Sequence, residues 1–257
     1  MNLQMNLELT KSYTSKSQIA RVMTEDWFLN NGFCPSCSND LIGVDNNAKV
    51  HDFSCKLCNG QFELKSYLGK TPSKINDGAY DSMVKRIADI NSPHFLFLGY
   101  SQNYSVVNCF AVPNYLFQPS VIVKRKPLSL TARRAGWVGC LIQLNQIPEF
   151  GKIKLVENGK VIGREPVKIA WDKTRFLADY KNLQTRGWTL DILSCIEKLN
   201  TNFSLNEMYQ FENQLSIKHP ENKHIKDKIR QQLQVLRDKG FVEFIKPGLY
   251  KFNRDWM

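Results

Sequence analysis

An α/β fold, followed by a smaller helical unit that ends in a β-hairpin, is predicted by three features of this 257-residue chain. Runs rich in β-branched and aromatic residues alternate with amphipathic stretches, the pattern of a mixed sheet covered by helices. Two Cys-x-x-Cys pairs, Cys34/Cys37 and Cys55/Cys58, lie seventeen residues apart, in the spacing of a four-cysteine metal site. Beyond residue 187, three helical periods lead into two short apolar runs joined by the turn signal Lys246-Pro247-Gly248.

The first element is a helix over residues 15–31, because Ile19, Val22, Met23 and Trp27 recur at helical spacing and Gly32 marks an end. Residues 50–53 and 61–66 are short strand candidates separated by turn residues, which makes a hairpin carrying Asp52 and Glu63. From Asp77 onward a helix is expected: Tyr80, Met83, Val84, Ile87 and Ala88 form one apolar stripe, with Lys85 and Arg86 off it. Strands follow over 94–101 and 106–113, with Gln102-Asn103 as the turn. Residues 118–139 show prolines, no period and a concentration of basic side chains, and read as a functional surface loop. A helix over 167–180 and a polar linker over 181–187 close the first domain, giving a division into residues 1–183 and 184–257. In the second part, Ile192, Leu193, Ile196 and Leu199 give one helix, and Ser204 with Glu207 is a capping box opening another. Ile225, Ile229, Leu233 and Leu236 give a third, stopped by Gly240, and a hairpin over 241–252 follows. Three helices and a terminal hairpin describe a winged helix, with Trp188 as a core anchor near its start.

Composition limits the function classes. A content of 42% hydrophobic and 23% charged residues suits a soluble globular protein and excludes extended disorder. The net charge of +11 and a pI near 9.3 favour a polyanionic partner, since each cation placed on a phosphate releases condensed counterions. Residues 1–10 lack the pattern of a secretory signal, and the strongest apolar run, 95–100, is too short to span a bilayer. A cytoplasmic protein with no membrane partner, monomeric in solution, is expected. Cys109, Cys140 and Cys195 read as buried free thiols, which a reducing compartment suits.

Two chemistries fall in one segment. Cys34, Cys37, Cys55 and Cys58 can close a tetrahedral shell around a structural Zn2+, although the spacing equally admits iron. Asp52, followed eleven residues later by Glu63-Leu64-Lys65, is the pattern of metal-dependent nucleases of the PD-(D/E)xK kind. Two carboxylates on neighbouring strands can hold Mg2+ with coordination positions left open. Asp52 and Glu63 are the expected ligands, with the Leu64 carbonyl as a further one. Lys65, two residues on and on the same strand face as Glu63, would orient a water and counter developing negative charge. The competing reading of a lone Glu-x-Lys is an exposed strand of alternating charge.

Several long runs carry a specific resemblance: Thr24-Glu25-Asp26-Trp27, Phe62-Glu63-Leu64-Lys65-Ser66, Ile75-Asn76-Asp77-Gly78-Ala79-Tyr80, Thr131-Ala132-Arg133-Arg134-Ala135-Gly136-Trp137 and Ile229-Arg230-Gln231-Gln232-Leu233. Together they resemble the DpnI-like methyl-directed type II restriction endonucleases over almost the whole chain. The resemblance implies a PD-(D/E)xK nuclease with a C-terminal winged helix that cuts double-stranded DNA at GATC carrying N6-methyladenine, using Mg2+. His51 stands where the broad nuclease pattern has a proline before the acid, a position that holds no ligand. Lys124, Arg125, Lys126, Arg133 and Arg134 are the expected DNA-binding residues of the basic loop, and Trp137 the first candidate for contact with the methyl group. In the winged helix, Asn222, Lys223, His224, Lys226, Lys228 and Arg230 are placed to reach bases or phosphates from a helix in the major groove. Two other readings stay open: a non-catalytic methyl-DNA-binding regulator, and a nuclease of different sequence or modification specificity.

Overall fold

The structure, a computed structural model, describes residues 1–44, 51–89, 91–180 and 182–254. Its first helix, α1 (Lys16–Asn31), buries Met23, Thr24, Trp27 and Phe28. It stops at Gly32, whose N–H donates to Phe28 O at 2.7 Å. A Cβ at residue 32 would lie 2.6 Å from that same oxygen, so only glycine allows the chain to leave so closely.

Among the described residues a seven-stranded sheet runs in the order β1 (Ile42–Gly43), β2 (Phe53–Ser54), β3 (Gln61–Leu68), β5 (His94–Tyr100), β6 (Val106–Val112), β9 (Ile153–Glu157) and β10 (Lys160–Val161). The β3–β5 pair is parallel, with Glu63 opposite Phe95 and Lys65 opposite Phe97, whereas its neighbours are antiparallel. The parallel connection passes through β4 (Lys74–Ala79) and α2 (Tyr80–Ala88). A second sheet, in the order β4, β8 (Gly139–Gln143) and β7 (Ile122–Lys124), lies apart from the first. Alternation along the central strands sends Leu96 and Leu98 into a core with α1 and α3 (Arg164–Thr174), and Phe95 and Phe97 into a core with α2 and the second sheet.

The second core runs on without a break into α4 (Leu183–Ile196) and the elements after it. Phe241 packs on Phe150 and Phe176 at ring-centroid distances of 5.6 and 5.1 Å. The Glu197 carboxylate accepts the Glu149 and Phe150 N–H groups at 3.0 and 3.1 Å. The C-terminal region contains β11 (Asn202–Ser204), α5 (Leu205–Tyr209), α6 (Glu212–Lys218), α7 (Ile225–Asp238), β12 (Val242–Lys246) and β13 (Leu249–Phe252). Ser204 and Glu207 form the reciprocal capping box. No helix among the described residues is long and apolar enough to cross a membrane.

Several boundaries differ from the sequence reading. Asp77 lies in a strand, and the helix begins only at Tyr80; Gly78 and the polar neighbours of β4 hide its pairing with β8. Residues 118–139 are not wholly a loop, because Val121 and Ile122 are buried and Ile122–Lys124 pairs with β8. The helix expected over 167–180 starts three residues earlier and ends at Thr174. The expected linker is mostly helix: α4 starts at Leu183, where the Asn182 side chain accepts the Gln184 N–H. Residue 181 and residue 50, part of the first strand candidate, lie outside the described residues, and His51 and Asp52 precede β2. The winged helix gains two elements, α6 and β11, the latter a third strand against the hairpin.

Candidate functional site

The four paired cysteines converge beside the β2–β3 hairpin, their sulfurs all within 4.8 Å of one another. Cys34 Sγ is 3.5 Å from Cys58 Sγ, and Cys37 Sγ is 3.4 Å from Cys55 Sγ. A tetrahedron built on metal–sulfur bonds of about 2.3 Å has edges of about 3.8 Å, so these cysteines could bind zinc. The backbone makes the convergence twice over. Ser38 N–H donates to Cys34 O and Asn59 N–H to Cys55 O, while Cys34 N–H reaches Asn39 O and Cys55 N–H reaches Gly60 O, all at 2.7–2.9 Å. Both turns close on a residue in the left-handed region, Ser38 at φ 65° and Asn59 at φ 57°. Burial pushes the Cys34 and Cys58 thiols up; at Cys55 burial acts the same way but is outweighed, chiefly by the Cys58 and Leu57 N–H groups, which hold it low. Arg175 braces the first turn by donating to Ser36 Oγ at 3.1 Å, and Arg164 pairs with Asp40 at 2.8 Å.

A few residues along the same hairpin, charged groups meet. Strand alternation puts Phe62 and Leu64 into the α1 core and turns Glu63 and Lys65 towards α2 and β4. Asp52 Oδ2 accepts the Leu64 N–H at 2.7 Å, which ties the acid to the strand carrying the triplet. Burial raises the Asp52 carboxyl above the usual range; the Leu64 N–H opposes this and the Glu63 charge adds to it. Lys65 Nζ lies 2.5 Å from Glu63 Oε1 and donates to Asp77 Oδ1 on β4. Burial disfavours the ammonium, but Glu63 and Asp77 outweigh it, so the Lys65 pKa is raised. Arg86, from α2, forms an ion pair with Glu63 Oε2 and lies over the Phe95 ring at 4.9 Å. Beyond that ion pair Glu63 Oε2 has no hydrogen-bond partner, and Arg86 Nε and Nη2 are buried without one. A carboxylate held only by side-chain counter-charges, beside guanidinium donors that lack partners, suits a site completed by a cation and an anionic group.

Asp52, Glu63, Leu64 and Lys65 are thus neighbours, as the motif requires. Asp77 and Arg86 were not singled out from sequence. Asp77 read as the start of a helix, and Arg86 as part of its polar face, although its side chain is only 22% exposed. The sequence shows only an acid twelve residues after Lys65; its strand and its burial come from the pairing of β4 with β8.

The basic segment is anchored next to these charges. β8 pairs with β4 so that Cys140 opposes Asp77, and the chain from β7 to β8 leaves from that edge. Arg125 N–H donates to Gly139 O, Leu128 N–H to Trp137 O and Gly136 N–H to Leu128 O, which fixes the loop as a narrow projection. Lys124, Arg125, Lys126, Arg133 and Arg134 are all exposed. Trp137 is half-buried, with the Arg134 guanidinium 4.7 Å from its ring centroid. Its ring crosses Gly139, where a Cβ would come within 2.7 Å of it.

In the C-terminal region α7 buries Ile225, Ile229, Gln232, Leu233 and Leu236, leaving Lys226 and Arg230 exposed and Lys228 half-buried. Lys226 lies 3.4 Å from Glu212, Lys228 donates to Gln231 at 2.7 Å, and Arg230 donates to the Tyr209 hydroxyl at 3.0 Å. Asn222 Oδ1 accepts the His224 N–H at 2.7 Å; His224 occupies the N-cap position, and its side chain makes no capping bond. Lys223 Nζ donates to Pro220 O. Trp188 is a core residue stacked on His219 at 3.8 Å. The sequence model of the DpnI family, described as the Dam-replacing family, matches residues 1–180, and that of its C-terminal part, described as the Dam-replacing HTH domain, matches residues 184–252. The chain belongs to the DpnI-like Dam-replacing family. At the level of the Dam-replacing family, membership carries restriction-endonuclease function in the first region and DNA binding in the second.

Proposed function

We propose that this protein is a Mg2+-dependent restriction endonuclease that cuts double-stranded DNA at GATC sites carrying N6-methyladenine. The observation that carries the reading is the meeting of Asp52, Glu63 and Lys65 on one hairpin of a Dam-replacing chain. Asp52 and Glu63 would hold Mg2+ through their carboxylates, with the Leu64 carbonyl as a third ligand, and Cys34, Cys37, Cys55 and Cys58 would hold structural Zn2+. Bound Mg2+ supplies a Lewis acid for the scissile phosphate and a more acidic water. Lys65 orients the attacking water and counters charge on the phosphate as it develops. The loop cations Lys124, Arg125, Lys126, Arg133 and Arg134 hold the DNA backbone, and Trp137 packs against the adenine methyl. The first turns of α7 and the segment before it, with Asn222, Lys223, His224, Lys226, Lys228 and Arg230, enter the major groove as a second reader. The protein acts as a cytoplasmic monomer.

The ion-paired state of Glu63 favours a second reading, a methyl-DNA-binding regulator in which the charges only brace the fold. Cleavage assays on unmethylated, hemimethylated and fully methylated GATC duplexes, with Lys65→Ala as control, separate the two. The nuclease reading expects cutting confined to methylated duplexes and lost in the control. Preferential binding of the methylated duplex without cutting would favour the regulator, and equal cutting of all three would discard methyl direction.

A further inference from the structure

We infer that Asp77 is a positioning residue of the nuclease centre: it gives the Lys65 ammonium a second acceptor, so that Glu63 can exchange its ion pair with Lys65 for a divalent cation. The inference rests on the nuclease reading above. Lys65 Nζ has two carboxylate partners, Glu63 on its own strand and Asp77 on the neighbouring sheet. It cannot serve Glu63 fully and leave that residue free for a cation. Asp52, Glu63 and Asp77 carry three negative charges against two positive ones on Lys65 and Arg86, so the set has one charge in excess before any cation arrives. Without Asp77 the charges would balance, and Lys65 would have no acceptor but Glu63 among the acids it touches.

The geometry is suited to holding rather than reacting. The Asp77 side chain is 5% exposed, against 18% for Lys65, so it lies behind the ammonium and away from solvent. Its strand is fixed along its length by β8, and the register shifts between Asp77 and Ala79. Up to that shift the register is regular, so Asp77 shares a strand face with Ile75. A buried ammonium released by Glu63 would otherwise stand unpaired, at high desolvation cost, and would return to Glu63 in competition with the cation.

A double-mutant cycle tests this on the zinc-loaded full-length protein. Mn2+ binding is followed by the EPR signal of the free ion, without DNA, for wild type, Asp77→Asn, Lys65→Met and the double variant. Single-turnover cleavage and duplex affinity are measured on methylated GATC DNA. Loss of a positioning partner is expected to lower Mn2+ affinity and the cleavage rate of Asp77→Asn by about 10–100-fold, with duplex affinity unchanged. Asp77→Glu should recover part of the rate. In the Lys65→Met background, Asp77→Asn should leave Mn2+ affinity unaltered, because the residue acts through the lysine. An equal loss of Mn2+ affinity in both backgrounds, or an Asp77→Asn protein that cuts normally, would overturn the inference. A wild type that binds Mn2+ but cuts no duplex would sink the nuclease reading instead, and the binding cycle would still decide the link between Asp77 and Lys65.

Discussion

The cysteine cluster and the Asp52–Glu63–Lys65 cluster share one hairpin but are prepared in opposite ways. Around the sulfurs the work is done by backbone: two matching turns, and at Cys55 two N–H groups aimed at the sulfur. Around the carboxylates, Glu63 is held by the side chains of Lys65 and Arg86, which a cation or a phosphate can displace. Among the described residues only the cysteines bring three or more side-chain ligand atoms of the His, Cys, Asp or Glu type together. On the proposed reading, the site that keeps its ion is built from the chain itself, and the one that exchanges it from side-chain counter-charges.

The largest expected effect attacks the backbone-built site. Cys34→Ser or Cys55→Ser should abolish the bound metal seen by native mass spectrometry and lower stability by several kcal/mol, on the order of the folding energy a structural zinc contributes. Retained stability after metal loss would place the two sites on the same footing. Next, Glu63→Ala or Lys65→Ala should slow cleavage about 10³-fold, equivalent to about 4 kcal/mol in the barrier, while zinc content changes little. A Glu63→Ala protein that still cuts would remove that residue from the metal site.

A third effect comes from between the two clusters. His94 is opposite Phe62 in the sheet, packs against Trp171 at 4.8 Å, and its Nδ1 accepts the Asn114 N–H. Burial lowers its pKa from 6.5 to about 4. The unfolded chain therefore takes up the proton first as pH falls, so His94 supports the fold fully above pH 6.5 and loses that support towards pH 4, by up to about 3 kcal/mol. Thermal melts across this window should fall more steeply for wild type than for His94→Gln. The smallest effect belongs to the loop: Trp137→Ala should cut the preference for methylated over unmethylated duplex by about tenfold, the scale of one lost methyl contact. Unchanged discrimination would move methyl recognition elsewhere.

Both clusters could be read from the chain because each is local. The cysteine turns lie within five residues of their ligands, and Glu63 and Lys65 sit on one strand, where a period of two settles which side chains share a face. Asp77 escaped because its role depends on a pairing with β8 more than sixty residues later in the chain, and Gly78 breaks the alternation that would have marked the strand. Arg86 escaped because the sequence shows that it lies off an apolar stripe but not that the uncovered side of α2 faces Glu63. The winged helix was legible in its capping box and its α7 stripe. Its third strand and α6 were not, since Asn202–Ser204 is too short to show a period and α6 buries only Leu215.

The unbroken core beneath α4 bears on engineering. In sequence the two regions look like interchangeable cassettes, yet Phe241 is seated against Phe150 and Phe176, and Glu197 caps the Glu149 and Phe150 amides. A recognition domain transplanted from another protein would arrive without that aromatic plug and that carboxylate. Any change to the C-terminal region therefore has to keep Phe241 and Glu197 seated against the first region.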